Sequence, residues 1–181
     1  MKIRKITPET SEKSIGLLRA AFPGSSYEAN LVENLRRRER VIHEWVCLHI
    51  NSAIAYIAFT NAYNGDAVCG LHLAPLAVKP QFQRQGVGSE LLRFALTQPI
   101  IMESAIFVLG DPGFYQRFGF TPCATPICPF DTNNAHFLSI RNAQDIPFTV
   151  GYEPEFAVPA AAREQGKQRR QLPARGRGRR R

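Results

Sequence analysis

The sequence predicts a single α/β (α+β) domain with a mixed, twisted β-sheet of about seven strands and about four flanking helices. Two apolar runs, residues 45–50 and 53–60, are separated by Asn51-Ser52, which is typical of a β-hairpin. A third apolar run, residues 71–78, ends at a glycine-bearing turn that leads into residues with helical spacing. The chain has 181 residues, 44% of them hydrophobic, which is enough for one domain with a substantial core.

The first 40 residues predict one strand and two helices. Residues 2–6 alternate polar and apolar side chains, so we expect a short strand. Thr7-Pro8 supplies an N-cap and a first helical position, and Pro23-Gly24 ends that helix. Residues 25–28, Ser-Ser-Tyr-Glu, have the form of a capping box that opens a second helix. We interpret the basic run at residues 36–38 as a solvated helix end, because nearby glutamates offset its charge.

The central strand and the elements after it complete the predicted sheet. Asn64-Gly65-Asp66 is a turn signal that precedes the strand ending at Val78. Pro75 inside this strand predicts a bulge or a broken ladder, because proline cannot donate a backbone hydrogen bond. The later elements are a helix over residues 86–97, a strand over 106–109, a short helix that carries Tyr115, and strands around residue 120 and over 136–140.

Positive charge is concentrated at the C-terminal end. Nine of the 23 basic residues and one of the 15 acidic residues lie in residues 160–181, so residues 1–159 are neutral overall. The terminal segment also has few apolar side chains to bury. We therefore expect a folded domain over residues 1–158, followed by a disordered Arg-rich tail over residues 159–181.

Composition also limits the cellular locations and the metal sites that we expect for this protein. No apolar run reaches the length of a membrane span, and the N-terminus leads into no signal-type apolar segment. The four cysteines lack Cys-x-x-Cys spacing, so we expect reduced core thiols and no metal site, with zinc at Cys47-x-His49 as the weaker alternative. These patterns predict a cytoplasmic protein that makes no membrane contact.

The most informative stretch is the turn Gln83-Arg84-Gln85-Gly86-Val87-Gly88-Ser89 between a predicted strand and a predicted helix. Such a turn presents unpaired backbone N–H groups and the positive end of the helix dipole, which together attract a phosphate. The glycines remove the Cβ atoms that would block a close approach. The spacing differs from the Walker pattern and from Gly-x-Gly-x-x-Gly, and a two-glycine turn by itself can serve geometry alone.

Two ordered motifs resemble the GNAT acyltransferase superfamily. The Gln-x-x-Gly-x-Gly spacing of the turn resembles that superfamily's acetyl-CoA pyrophosphate loop, and residues 115–120, Tyr-Gln-Arg-Phe-Gly-Phe, resemble its Tyr-x-x-x-Gly-Phe motif. Residues 71–78 and Gly110-Asp111-Pro112 are similar to small bacterial acetyltransferases of the YhbS type. The resemblance runs from about residue 1 to about residue 158. It implies a mostly antiparallel sheet, a splay between two central parallel strands, and acetyl-CoA as the cofactor.

The resemblance also implies how the cofactor is held. Backbone N–H groups from Gln83 through Gly88, together with Ser89, would bind the pyrophosphate. Arg84 would either add a charge-assisted bond to a phosphate or face solvent. The backbone of residues 76–78, Leu76, Ala77 and Val78, would pair with the pantetheine amides as an added strand does.

Two residues are candidates for acid–base chemistry. The Tyr115 hydroxyl, with a reference pKa near ~10, is protonated at neutral pH and can donate to the departing sulfur, the alternative being a tyrosine that only packs. His72 lies close to where a glutamate base occurs in protein-acetylating members of the superfamily. It shares strand parity with Leu76 and Val78 unless the bulge breaks that parity. A packed core histidine, a water chain and Asp111 are the competing interpretations.

These observations predict an acetyl-CoA-dependent N-acetyltransferase that moves an acetyl group directly to the amine of a small molecule or a protein. Two other functions stay open: a tRNA- or ribosome-associated acetyltransferase that uses the basic tail, and a non-catalytic acyl-CoA-binding protein. Tail contacts with nucleic acid would be weak and nonspecific. The neutral domain favours a small acceptor. The sequence names no acceptor and does not distinguish a monomer from a homodimer.

Overall fold

The computed structural model describes residues 1–131 and 133–157. Its strands are β1 (Lys2–Lys5), β2 (Ile42–His49), β3 (Ser52–Asn64), β4 (Ala67–Val78), β5 (Ile106–Leu109), β6 (Thr121–Pro122) and β7 (Phe137–Ile140). Its helices are α1 (Pro8–Ala21), α2 (Tyr27–Arg37), α3 (Val87–Leu96), α4 (Pro99–Met102) and α5 (Pro112–Tyr115), with 3₁₀ turns at Pro80–Phe82, Gln116–Phe118 and Pro154–Phe156.

The seven strands form one sheet in the order β1-β2-β3-β4-β5-β7-β6. Only the β4–β5 pair is parallel within the described chain, and the other neighbours are antiparallel. The predicted mixed, mostly antiparallel sheet is therefore confirmed.

The predicted boundary at residue 158 and the predicted tail over residues 159–181 lie outside the described residues. None of the described helices is both long and apolar enough to cross a membrane.

The helix starts follow local signals to different degrees. Thr7 is extended and caps α1 by accepting from the backbone N–H of Thr10, with Pro8 at the first helical position, as predicted. The predicted capping box of α2 is wrong in detail. Ser26 is the N-cap and makes no side-chain cap bond, whereas the Ser25 hydroxyl donates to Glu28 and accepts from the N–H of residue 27.

The first hairpin turns one residue earlier than predicted. Ile50 and Asn51 are its central residues, and both are left-handed, with φ of 44° and 60°. This is the handedness that a two-residue hairpin with right-twisted strands requires. The second hairpin turns at Gly65, φ 58°, as predicted from Asn64-Gly65-Asp66.

The basic run at the end of α2 is more than a solvated helix end. The Arg36 guanidinium bonds to Glu44 on β2 and to the hydroxyls of Ser11 and Ser14 on α1. Tyr56, which is fully buried, donates to the same glutamate, so the carboxylate has two partners. The hydrogen bonds and charge of Glu44 raise the pKa of Arg36 despite its partial burial. The prediction therefore failed for Arg36, which ties α2 to α1 and to the sheet.

Both faces of the sheet are covered, and β3 contributes to each. Its residues Ile57 and Phe59 pack toward α3 with Leu91 and Leu92. The alternate positions, Tyr56 and Ala58, pack on the opposite face in a cluster that includes residues of α1 and α2. This alternation follows from the two-residue period of a strand.

The predicted bulge in β4 is confirmed at Pro75. Ile57 pairs with Leu76, and Phe59 pairs with Leu73, so one residue of β3 opposes Ala74 and Pro75 together. An extra residue in one strand reverses the side-chain alternation beyond it. Accordingly, the odd-numbered Leu71 and Leu73 face α3 before the bulge, whereas the even-numbered Leu76 and Val78 face it afterwards.

The predicted splay between the two parallel strands is also confirmed. β4 pairs with β5 only at Leu71–Ile106 and His72–Phe107, although β4 continues to Val78. Beyond this point β5 keeps its pairing with β7 through Leu109. The outer half of β4 therefore has no neighbour on the β5 side, and a gap opens between the carboxyl ends of the two strands.

Candidate active site

A cavity of about 630 Å³ lies at the carboxyl ends of β4 and β5, where the two strands diverge. It is lined by the end of β4, by the turn that leads into α3, and by residues within 110–117. The volume is within the range typical of small-molecule and cofactor sites. The cleft thus brings together three stretches that the sequence singled out separately.

The turn before α3 is held by its own glutamines. The side-chain amide of Gln83 donates to the Val78 carbonyl at 3.0 Å, and that of Gln85 donates to the Gln81 carbonyl at 2.8 Å. Sequence reasoning assigned these residues backbone roles only. The Gln83 side chain also braces the turn against the end of β4. The Gln85 side chain closes the turn on its own backbone and does not line the cleft.

The two glycines of the turn have different structural reasons. Gly86 is the N-cap of α3 and is left-handed, φ 82°, with open space where a Cβ would be. A Cβ at Gly88 would lie 3.1 Å from Cγ2 of Val78, so this glycine lets the helix start close to β4. Because Gly86 has no side chain to cap α3, the first N–H groups of the helix have neither an intrahelical acceptor nor a capping side chain.

The end of β4 presents unpaired backbone to the cleft. The N–H of Lys79 donates to the Ile54 carbonyl at 2.8 Å. In an antiparallel ladder the backbone groups of successive residues alternate in direction, so those of Ala77 point toward β3 and those of Leu76 and Val78 point into the splay. Ala77 is buried and does not line the cleft. Of the three predicted backbone contacts on β4, this geometry favours Leu76 and Val78 over Ala77.

Tyr115 lies in the cleft with its ring packed edge-on against Phe114 and Phe120, at centroid distances of 5.0 and 5.6 Å. Burial, and secondarily the charge of Asp111, raises the pKa of its hydroxyl well above the ordinary value. The group therefore stays protonated at neutral pH. Within the described chain, no hydrogen-bond partner is recorded for it. Tyr115 therefore packs against its aromatic neighbours and at the same time lines the cleft.

Among the residues that the structure describes, the charged side chains of the cleft are two arginines and one aspartate. Arg84 is exposed and has a left-handed backbone, φ 59°. The Arg117 guanidinium lies 5.0 Å from the ring centroid of Phe114. Asp111 is exposed at the end of β5, and its Oδ1 accepts from the N–H of Gly113 at 2.9 Å.

His72 lies outside the cleft. The bulge places its side chain on the opposite face of the sheet from Leu76 and Val78, so the parity that made it a candidate base is broken. Its ring is 1% exposed and stacks on Tyr152 at 3.6 Å. Nε2 donates to the Gly151 carbonyl at 3.0 Å, since a carbonyl only accepts. Burial lowers the pKa of His72 to about 4. This geometry favours the packed-histidine alternative.

None of the four cysteines lines the cleft. All four cysteines are free thiols, and three of them are buried. In residues 1–131 and 133–157, no three His, Cys, Asp or Glu side chains come together in a way that could hold a metal ion.

Comparison with known proteins relates this geometry to one family. The model of the acetyltransferase (GNAT) domain matches residues 41–122, which include the turn before α3 and Tyr115. YjhQ of Escherichia coli K12, an uncharacterized N-acetyltransferase, is 35% identical over 125 residues, which cover 66% of this chain and 69% of YjhQ.

Two solved structures share the fold. The GNAT family N-acetyltransferase YhbS from Escherichia coli, in complex with CoA, superposes with a TM-score of 0.78 at 28% identity and covers 86% of this chain and 91% of its own. A GNAT family acetyltransferase from Brucella melitensis, in complex with acetyl-CoA, has a TM-score of 0.72 at 28% identity and covers 86% and 97%. The predicted similarity to proteins of the YhbS type is confirmed.

Proposed function

Since this chain belongs to the GNAT family of N-acetyltransferases, we propose that it binds acetyl-CoA in the cleft and transfers the acetyl group directly to an amine of a small molecule or a protein. The observation that carries the proposal is the meeting of the splay, the turn before α3 and Tyr115 around one cavity. The similar proteins solved with CoA and acetyl-CoA support this choice of cofactor. Acetyl-CoA supplies the acetyl group in activated form, as a thioester.

The pyrophosphate end of the cofactor fits the turn before α3. The free N–H groups at the start of α3 and the positive end of the helix dipole suit a phosphate, and the missing side chain of Gly86 leaves room for it. Arg84, exposed beside these groups, supplies a cation for a charge-assisted bond. The side-chain bonds of Gln83 and Gln85 hold the turn in place, which reduces the entropy lost on binding.

The amide-bearing arm of the cofactor fits the outer half of β4. Leu76 and Val78 point N–H and C=O groups into the splay, where β5 no longer pairs with them. A chain of amides laid along this edge would hydrogen-bond as an added strand does. The Val78 carbonyl already accepts from Gln83 and, with two lone pairs, retains one for a further donor.

At the reacting end, the neutral amine nitrogen attacks the acetyl carbonyl, the new C–N bond forms, and the C–S bond breaks. The Tyr115 hydroxyl is positioned to donate its proton to the departing sulfur, and the proton lost by the amine restores the hydroxyl through water. The raised pKa of Tyr115 keeps the hydroxyl protonated at neutral pH. General acid–base groups of this kind typically contribute about 10²–10⁴-fold to the rate.

Replacement of Gly86 tests the proposed cofactor site. Asp and Asn both tolerate the left-handed backbone better than other side chains do, and a Cβ here meets no atom within 4 Å, so both variants should fold. The two side chains are nearly equal in size and differ in charge. We expect Gly86→Asp to abolish acetyl-CoA binding in calorimetry and Gly86→Asn to weaken it less. A folded Gly86→Asp variant with wild-type affinity would contradict the site.

The acceptor can be sought directly. A CoA-release assay over amines, polyamines, amino acids and peptides compares acceptor classes with one readout. Family membership favours an enzyme over a non-catalytic acyl-CoA-binding protein. If acetyl-CoA bound but no amine in the panel released CoA above the background rate, the non-catalytic alternative would gain support.

A further inference from the structure

Asp111 is the only acidic side chain that lines the cleft within the described part of the chain. It follows directly after β5, which ends at Leu109, with Gly110 between them. The groups suited to an anion, Arg84 and the start of α3, lie on the segment that follows β4. Among the described charged side chains of the cleft, Arg84 lies beside the start of α3, whereas Asp111 and Arg117 lie beyond β5.

One oxygen of the Asp111 carboxylate accepts a hydrogen bond from the protein backbone, and the other oxygen is open to a ligand. Oδ1 accepts from the N–H of Gly113, which sets the orientation of the side chain at the start of α5. No described cation is ion-paired with Asp111, and no hydrogen bond to Oδ2 is recorded within residues 1–131 and 133–157. The side chain is exposed, so its second oxygen is open to a ligand entering the cleft.

Asp111 also lies near the proposed proton donor. Its backbone carbonyl accepts from the N–H of Tyr115 at 3.2 Å, and both residues line the same end of the cleft. A group held by Asp111 is therefore close to the place where the proposed function puts the acetyl carbon. An acceptor amine must reach this same place.

We propose that the Asp111 carboxylate binds the ammonium form of the amine acceptor through Oδ2 and positions its nitrogen beside the acetyl group. The inference rests on the proposed function and narrows its substrate class to alkylamines, which are cations at neutral pH. The amine then loses one proton to water before it attacks, and the carboxylate stays ionised throughout. An arylamine, which is uncharged at neutral pH, gains nothing from this contact.

Asp111→Asn separates this role from a structural one. Asparagine is as good an N-cap as aspartate, so its side-chain oxygen keeps the bond to Gly113 while the charge is lost. With spermidine as the alkylamine probe, the KM of the full-length variant should rise roughly 10- to 100-fold, as expected for loss of a charge-assisted hydrogen bond. With aniline as the arylamine probe, kcat/KM should change less than threefold, and the Kd of acetyl-CoA should not change.

An unchanged KM for spermidine in Asp111→Asn overturns the proposal, as does an equal loss with both probes. It is overturned too if the wild-type protein binds acetyl-CoA but acetylates no alkylamine. Failure of the wild-type protein to bind acetyl-CoA overturns the proposed function itself, so the two failures are distinguishable.

Discussion

A methyl group added at Gly110 would lie 2.5 Å from Cε2 of Tyr115, because the tyrosine ring occupies the space over the glycine at the end of β5. This distance is shorter than any ordinary carbon–carbon contact. The glycine therefore allows the ring to pack against the strand end while its hydroxyl reaches the cleft.

Gly110→Ala should displace the Tyr115 ring and lower kcat. We expect a fall of about 10- to 100-fold, since a displacement of about 1 Å in a reacting group can cost 10²-fold. The Kd of acetyl-CoA, measured by calorimetry, should change little. The matched control is Gly16→Ala in α1, where a Cβ meets no atom within 4 Å. It should leave kcat unchanged and stabilise the fold by about 0.5–1 kcal/mol. Equal kcat in the two variants would contradict the role of the glycine.

Tyr115→Phe removes one hydroxyl and keeps the ring. Binding of acetyl-CoA should survive, while kcat falls by about 10²–10⁴-fold. Because the pKa of Tyr115 is raised, wild-type kcat should show no loss from ionisation of this hydroxyl as the pH rises to 10. Tyr152→Phe is the control, since that hydroxyl contacts Cys128 away from the cleft. A Tyr115→Phe variant with wild-type kcat would leave Tyr115 as a packing residue only.

Burial of His72 should make the fold less stable in mild acid. Its pKa is lowered from the ordinary 6.5 to about 4. Between these two pH values the unfolded chain binds a proton at His72, whereas the folded chain leaves the ring neutral. The associated stability is complete above pH 6.5 and is lost as the pH falls toward 4. Between pH 8 and pH 5 the loss from this one group is about 2 kcal/mol.

Denaturant unfolding of wild type and His72→Gln at both pH values isolates this effect, because other groups cancel in the difference. We expect the wild type to lose about 2 kcal/mol more than the variant does. We also expect kcat of the folded variant to stay within a few-fold of wild type. An equal pH dependence would contradict the lowered pKa of His72, and a kcat more than 100-fold lower would support His72 as a catalytic base.

Removal of residues 160–181 tests whether the Arg-rich segment has a partner. If it contacts phosphates, the full chain should bind RNA of any sequence at low salt, with affinity falling steeply as salt rises, because counterions are released on binding. A chain ending at Pro159 should lose this binding and keep acetyl transfer to small amines. Equal RNA binding by both chains would remove any special role for the segment, and loss of transfer would show that the boundary is misplaced.

Part of the site was predictable from short stretches of sequence. The turn before α3 depends on glycines at fixed spacing and on the exposed N–H groups of any helix start, and both are local properties. The bulge follows from proline, which cannot donate to a ladder wherever its strand lies. The six-residue motif also singled out Tyr115, and the structure places this residue in the lining of the cleft.

Only the tertiary structure decided which way side chains face and what they touch. His72 counted as a neighbour of Leu76 by strand parity, but one extra residue at Pro75 reverses that parity, and the histidine packs under Tyr152 instead. The sequence predicted a solvated Arg36, but in the fold this arginine contacts Glu44 on β2. The contact between Gly110 and Tyr115 was equally hidden. These outcomes depend on strand register and on contacts between segments that are far apart in the sequence. Such contacts form only in the folded chain, so a local sequence pattern does not predict them.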